Sequence, residues 1–142
     1  MYIDKQFEFS SAQRVCNAGA AEASENVYDF GVASPNVAKG EPLTLLFTVD
    51  TAFTGTGTTL TVTLQSSSDN AVADAYADIA GISTGAIAKA LLVAGYQFTL
   101  TLPASATYER YMQVMYTGDN TFETTGSITC QLIRDYQSNR TW

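Results

Sequence analysis

Asp69, Asp74 and Asp78 form the one acidic cluster in the chain, and oxygen-rich loops of this kind hold Ca²⁺. Their spacing lacks the glycine and the closing glutamate of a calcium loop, so a solvated loop accounts for them better. Glu41 beside Pro42 and Glu109 beside Arg110 are carboxylates near strand starts, but glycoside hydrolysis needs a carboxylate separation that only the fold sets. There is no histidine, which removes the usual general base at neutral pH and the commonest metal ligand. Gly55-Thr56-Gly57 has no third glycine, lysine or following helix to seat a phosphate, and a hairpin loop explains it. Cys16 and Cys130 are too far apart in sequence for a redox or zinc pair, and read as small buried hydrophobes of a reducing compartment rather than a disulfide. Asn139-Arg140-Thr141 matches a glycosylation sequon that chance supplies often. No catalytic residue, cofactor site or metal ligand emerges, and the expectation is a protein that is not an enzyme.

Tyr108, Tyr111, Tyr116, Tyr136 and Trp142 would stack on sugars if several shared one exposed sheet face, which defines an alternative reading as a carbohydrate-binding or host-adhesion module. Aromatic residues are equally at home in strands and interfaces, so core plus interface is the preferred account.

The elements that position these groups are strands. Leu43, Leu45, Phe47 and Val49 alternate with Thr44, Leu46 and Thr48, and Leu60, Val62 and Leu64 alternate with Thr61, Thr63 and Gln65. The glycine-bearing segment between them predicts an antiparallel hairpin. Tyr96, Phe98, Leu100 and Leu102 make a further strand ended by Pro103; Met112, Val114 and Tyr116 make another, and Ile128, Cys130 and Leu132 the last. Weaker strands are expected over residues 27–32 and around Phe7 and Phe9. Only residues 70–80 and 86–93 have helical character, and the like charges Asp74 and Asp78, four apart, count against the first. A strand with a bulge suits the second at least as well. Seven or eight short strands describe two packed antiparallel sheets or a closed barrel.

The 142 residues fit one domain large enough to hold an apolar core without disulfides or metal. Charged residues are only 15%, and hydroxyls take their place, with 19 Thr and 11 Ser. A net charge of −7 repels phosphate backbones and anionic lipid, so neither nucleic acid nor membrane is an expected partner. The start Met1-Tyr2-Ile3-Asp4-Lys5-Gln6 lacks the basic stretch and apolar run of a secretory signal, which favours synthesis in the cytoplasm. The expected division is an amino-terminal arm plus first strand over 1–15, a sandwich domain over 16–136 and a polar tail over 137–142.

Eight segments occur in a telling order: Asp4-Lys5-Gln6, Phe9-Ser10-Ser11-Ala12-Gln13, Glu25-Asn26-Val27-Tyr28-Asp29-Phe30-Gly31, Gly40-Glu41-Pro42-Leu43, Val49-Asp50-Thr51-Ala52-Phe53-Thr54, Leu92-Val93-Ala94-Gly95-Tyr96, Leu102-Pro103 and Glu109-Arg110-Tyr111. Together they resemble the capsid cement (decoration) proteins of tailed bacteriophages, of the type found on the short-tailed Bordetella phage. Residues 67–86 and the tail after Asp135 fall outside the resemblance. It implies an all-β, jelly-roll-like antiparallel β-sandwich that forms a homodimer on the outer surface of the virion head. There it would bind the major capsid protein and clamp adjacent subunits of the expanded shell, made in the bacterial cytoplasm and needing no cofactor. On that expectation Ile3, Phe7 and Phe9 of the arm, or Tyr136 and Trp142 of the tail, are the apolar anchors, and deleting residues 1–9 should weaken attachment while leaving the domain folded.

Overall fold

The computed structural model describes residues 5–122 and 125–134. Ten strands run in chain order: β1 (Glu8–Arg14), β2 (Ala21–Ala23), β3 (Tyr28–Asp29), β4 (Leu43–Thr51), β5 (Thr59–Ser67), β6 (Ala77–Ser83), β7 (Ile87–Ala88), β8 (Gln97–Leu102), β9 (Tyr111–Gly118) and β10 (Ser127–Ile133). The only helical pieces among the described residues are single 3-10 turns at Lys5–Phe7 and Lys89–Leu91.

One sheet has the order β1-β10-β4-β8, and the other β2-β9-β5-β6, with β3 sharing the β2 edge of β9 and β7 sharing the β6 edge of β5. All pairings are antiparallel. Counting β2 with β3, and β6 with β7, as one broken strand each, the sheets read 1-8-3-6 and 2-7-4-5, the strand order of a jelly-roll sandwich.

The core forms because the alternating apolar sets of both sheets point inward. Leu45, Phe47, Val49, Leu100, Leu102, Ile128 and Cys130 of one sheet meet Leu60, Val62, Leu64, Met112, Val114 and Tyr116 of the other. Phe47 lies parallel to Phe98 at 4.7 Å and meets the edge of Tyr116 at 6.5 Å. Tyr116 has 0% exposure, and its hydroxyl is satisfied by Ser10 Oγ at 2.9 Å. Ser10 Oγ is also bonded to Gln13 Oε1 at 2.7 Å, and Gln13 Nε2 donates to the Ala23 carbonyl at 2.8 Å. This chain ties β1 across the sandwich to β2 and β9, and no buried side-chain polar atom among the described residues lacks a partner. Burial pushes the Tyr116 hydroxyl well above its ordinary range.

Two expectations are corrected. β4 and β5 are not a hairpin: β4 pairs β10 and β8 while β5 pairs β9, so residues 52–58 cross from one sheet to the other. Residues 70–80 are a loop followed by β6, in line with the like charges that count against a helix there, and residues 86–93 hold β7 and the second 3-10 turn. The strand expected around Phe7 and Phe9 begins only at Glu8, after a 3-10 turn that holds Phe7, and is longer than expected. It runs to Arg14 through two register shifts, with Ala12 at φ 46° inside the second.

The connections gather at two ends. Residues 15–20, 52–58, 84–96, 119–122 and 125–126 close one end, and residues 30–42, 68–76 and 103–110 lie at the other.

Candidate functional site

The acidic residues do not converge. Asp69 and Asp74 bond within their own loop, and Asp78 Oδ1 accepts from Thr63 Oγ1 at 3.1 Å and Gln65 Nε2 at 2.8 Å. Glu109 accepts from Ser66 Oγ at 3.2 Å, and Glu41 faces Arg134 at 3.7 Å across an exposed gap. Arg110 pairs with Asp29 rather than its neighbour Glu109, through Nε to Oδ1 at 2.8 Å and Nη2 to Oδ2 at 3.0 Å. No cluster of three or more metal-ligating side chains occurs among the described residues. Cys16 and Cys130 are free and buried, and burial raises both thiols above the ordinary value.

The tyrosines form no sugar platform among the described residues. Tyr108 is buried, donates to the Pro103 carbonyl at 2.7 Å and has its hydroxyl pushed up to about 12 by burial; Tyr116 is in the core. Tyr111 is half-buried beneath the Arg110 guanidinium at 5.0 Å. Tyr136 and Trp142 lie outside the described residues, as does Ile3.

Phe9 is corrected from anchor to core residue, with 2% exposure among the inner side chains, because the register of β1 turns its ring into the sandwich. Deleting residues 1–9 would therefore remove core packing as well as the arm. Phe7 is half-buried and stacks on Tyr28 at 5.4 Å, and Tyr28 meets the edge of Phe30 at 4.8 Å. These three rings, with Leu43 and Ile133, line a groove of about 280 Å³ whose rim carries Lys39, Glu41 and Arg134. Tyr28 and Phe30 alternate with Asp29 and Gly31 in the sequence, but only the fold, in which β3 covers no more than Tyr28–Asp29, brings their rings to Phe7.

The sheet faces turned away from the core are hydroxyl and amide surfaces. On the four-stranded sheet Thr44, Leu46 and Thr48 of β4 lie between Thr99 and Thr101 of β8 and Thr129 and Gln131 of β10. Gln97 Nε2 donates to Thr48 Oγ1 at 3.2 Å, and Thr129 Oγ1 donates to Asp50 Oδ2 at 2.6 Å. None of β4, β8 and β10 contains a lysine or arginine. On the other sheet Gln113 Nε2 donates to Gln65 Oε1 at 2.9 Å, extending the Gln65–Asp78–Thr63 set across β9, β5 and β6. Faces of this kind lose less on desolvation than faces of lysine and glutamate would.

The two-sheet order and the faces together define an all-β jelly-roll sandwich that presents broad polar surfaces rich in hydroxyl and amide groups. A family model, Bbp16, matches residues 9–132, and the chain belongs to that family. The family's name points to a protein of a Bordetella phage, with which a structural role in the virion is compatible. No curated protein matches the chain.

Proposed function

We propose that the chain is a capsid cement protein, a structural component that binds the outer surface of an icosahedral phage head and clamps adjacent major capsid protein subunits in the expanded shell. Membership of the Bbp16 family over residues 9–132 is the observation that carries this reading. The geometry supports it: hydroxyl-rich faces without lysine or arginine on β4, β8 and β10 suit protein contact, and a net charge of −7 suits a position away from the packaged DNA.

The mechanism is multivalent adhesion without catalysis, cofactor or metal. Each domain makes modest contacts to two or more capsid subunits, and a homodimer doubles them, so effective concentration turns weak contacts into a hold that rarely releases. Affinity for the expanded shell over the unexpanded one stabilises the expanded state by that difference. A glycan-binding role would call for a row of exposed aromatic rings, and Tyr108 and Tyr116 are buried.

The test is the temperature at which cement-free, DNA-filled heads leak. Added protein should raise it saturably; heads that bind the protein and leak at an unchanged temperature would contradict the clamp.

A further inference from the structure

Between β5 and β6 the chain builds a small, heavily bonded projection. Asp69 Oδ1 accepts from the amides of Val72 at 3.0 Å and Asp74 at 3.1 Å, and Asp69 Oδ2 from that of Ala73 at 2.8 Å. Ser67 Oγ, whose residue is fully buried, accepts from the amides of Asp69 and Ala71 at 3.3 and 3.0 Å and donates to the Asp74 carbonyl at 2.7 Å. Asp74 Oδ2 accepts from the Ser68 amide at 2.9 Å, and the Tyr76 hydroxyl donates to Asn70 Oδ1 at 2.7 Å. Six backbone amides of a short loop are thus bound by side chains of the same loop.

The conformation so held is costly, with Asn70 and Ala71 both left-handed at φ 60° and 63° and no glycine in the loop. What the loop presents is Val72, 85% exposed, far more than any other exposed large hydrophobic described here. Exposed Ala71 and Ala73 flank it. A strained, self-bonded loop displaying an apolar tip has lost its conformational freedom before any partner arrives, which is what a preorganised contact requires.

Charge indicates the partner. The sequence has no lysine or arginine between Lys39 and Lys89, and Asp69, Asp74 and Asp78 lie in or beside the loop. Burial acts to raise the Asp69 carboxyl, but the amides of Asp74, Ala73 and Val72 outweigh it and hold the carboxyl below its ordinary value, hence ionised near neutral pH.

We infer that the loop over residues 67–76 is a preformed docking knob, whose Ala71-Val72-Ala73 tip seats in an apolar socket rimmed by lysine or arginine on a protein of the shell. The inference rests on the cement reading and names the contact through which part of that binding acts.

The test is co-sedimentation of wild type, Val72→Thr, Val72→Asp and Val93→Asp with cement-free expanded heads, at low and at moderate salt. Val93 is half exposed at the opposite end of the sandwich and serves as the control for an added charge. Val72→Asp should weaken binding roughly tenfold or more, as expected for an apolar side chain that is buried in the complex. Val72→Thr should weaken it less, Val93→Asp should bind as wild type, and all four should melt alike. Wild-type binding should weaken as salt rises. Val72→Asp heads decorated as fully as wild type would overturn the knob and leave the cement reading standing. Failure of the wild type itself to bind would overturn both.

Discussion

Two aspartates do the same local chemistry at opposite ends of the sandwich with different consequences. Asp119 bonds across the chain: Oδ1 accepts from the amides of Thr58 at 2.7 Å and Thr59 at 3.0 Å, and Oδ2 accepts from the Thr58 hydroxyl. Around it the Gly57 amide donates to the Thr121 carbonyl at 2.8 Å and Lys89 Nζ to the Gly55 carbonyl at 2.8 Å, while Phe53 and Phe122 meet edge to face at 4.9 Å. Asp69 accepts three bonds as well, but all from amides that lie within five residues of itself. One carboxylate closes the end of a core and the other shapes a projection. Long-range ties should therefore govern stability, and local ties should govern presentation.

The sharpest way to break the closed end is Phe122→Ala. Its ring is buried against Phe53, so truncation should cost about 3–5 kcal/mol and lower Tm on the order of 10 °C, read by thermal denaturation. A resistant protein would mean that this end is not part of the cooperative core.

Gly118→Ala should come next. A Cβ there would stand 2.4 Å from the Asn120 carbonyl oxygen, which is backbone and must shift, at roughly 1–3 kcal/mol in denaturant unfolding.

Asp119→Ala should destabilise less, and with a pH signature. The Thr58 hydroxyl, followed by the amides of Thr59 and Thr58, holds the carboxyl down at about 2, below the 3.8 of a free aspartate. A depressed folded value stabilises above the unfolded value, so the contribution is complete above about pH 4 and is lost as pH falls toward 2. Acid titration of stability should be shallower over that window in Asp119→Asn, and an identical profile would remove Asp119 from the account.

Asp69→Ala should change Tm least while making the loop over residues 67–76 the fastest site of limited proteolysis. A fall in Tm as large as that of Asp119→Ala would erase the distinction between the two ends.

The long strands were legible because each buries one face. β4, β5, β8, β9 and β10 carry clean alternation, and all five appear where it predicts them. β6 was hidden because Gly81, at φ 80°, breaks its period and leaves Ile79 and Ile82 buried three apart. β1 was underestimated for the same reason, its two register shifts scrambling the inward set. The β4–β5 hairpin failed differently: a short loop with glycines looks alike whether it joins paired strands or crosses between sheets. Among the anchor residues, Phe9 cannot be told from Phe7 by type or by a period of two, and what separates the core ring from the groove ring is the 3-10 turn that holds Phe7 before β1 begins. Residues 66–70 read as a loop in the sequence, although β5 runs on through Ser67, whereas the bonding of Asp69 to three amides further along the chain depends on backbone geometry that no residue pattern states.

The clamp is best tested by co-sedimenting the purified protein with cement-free expanded heads and, in parallel, with unexpanded proheads of its own phage. Binding should be saturable on the expanded heads and weak or absent on the proheads. A folded, monodisperse protein that binds neither would contradict it.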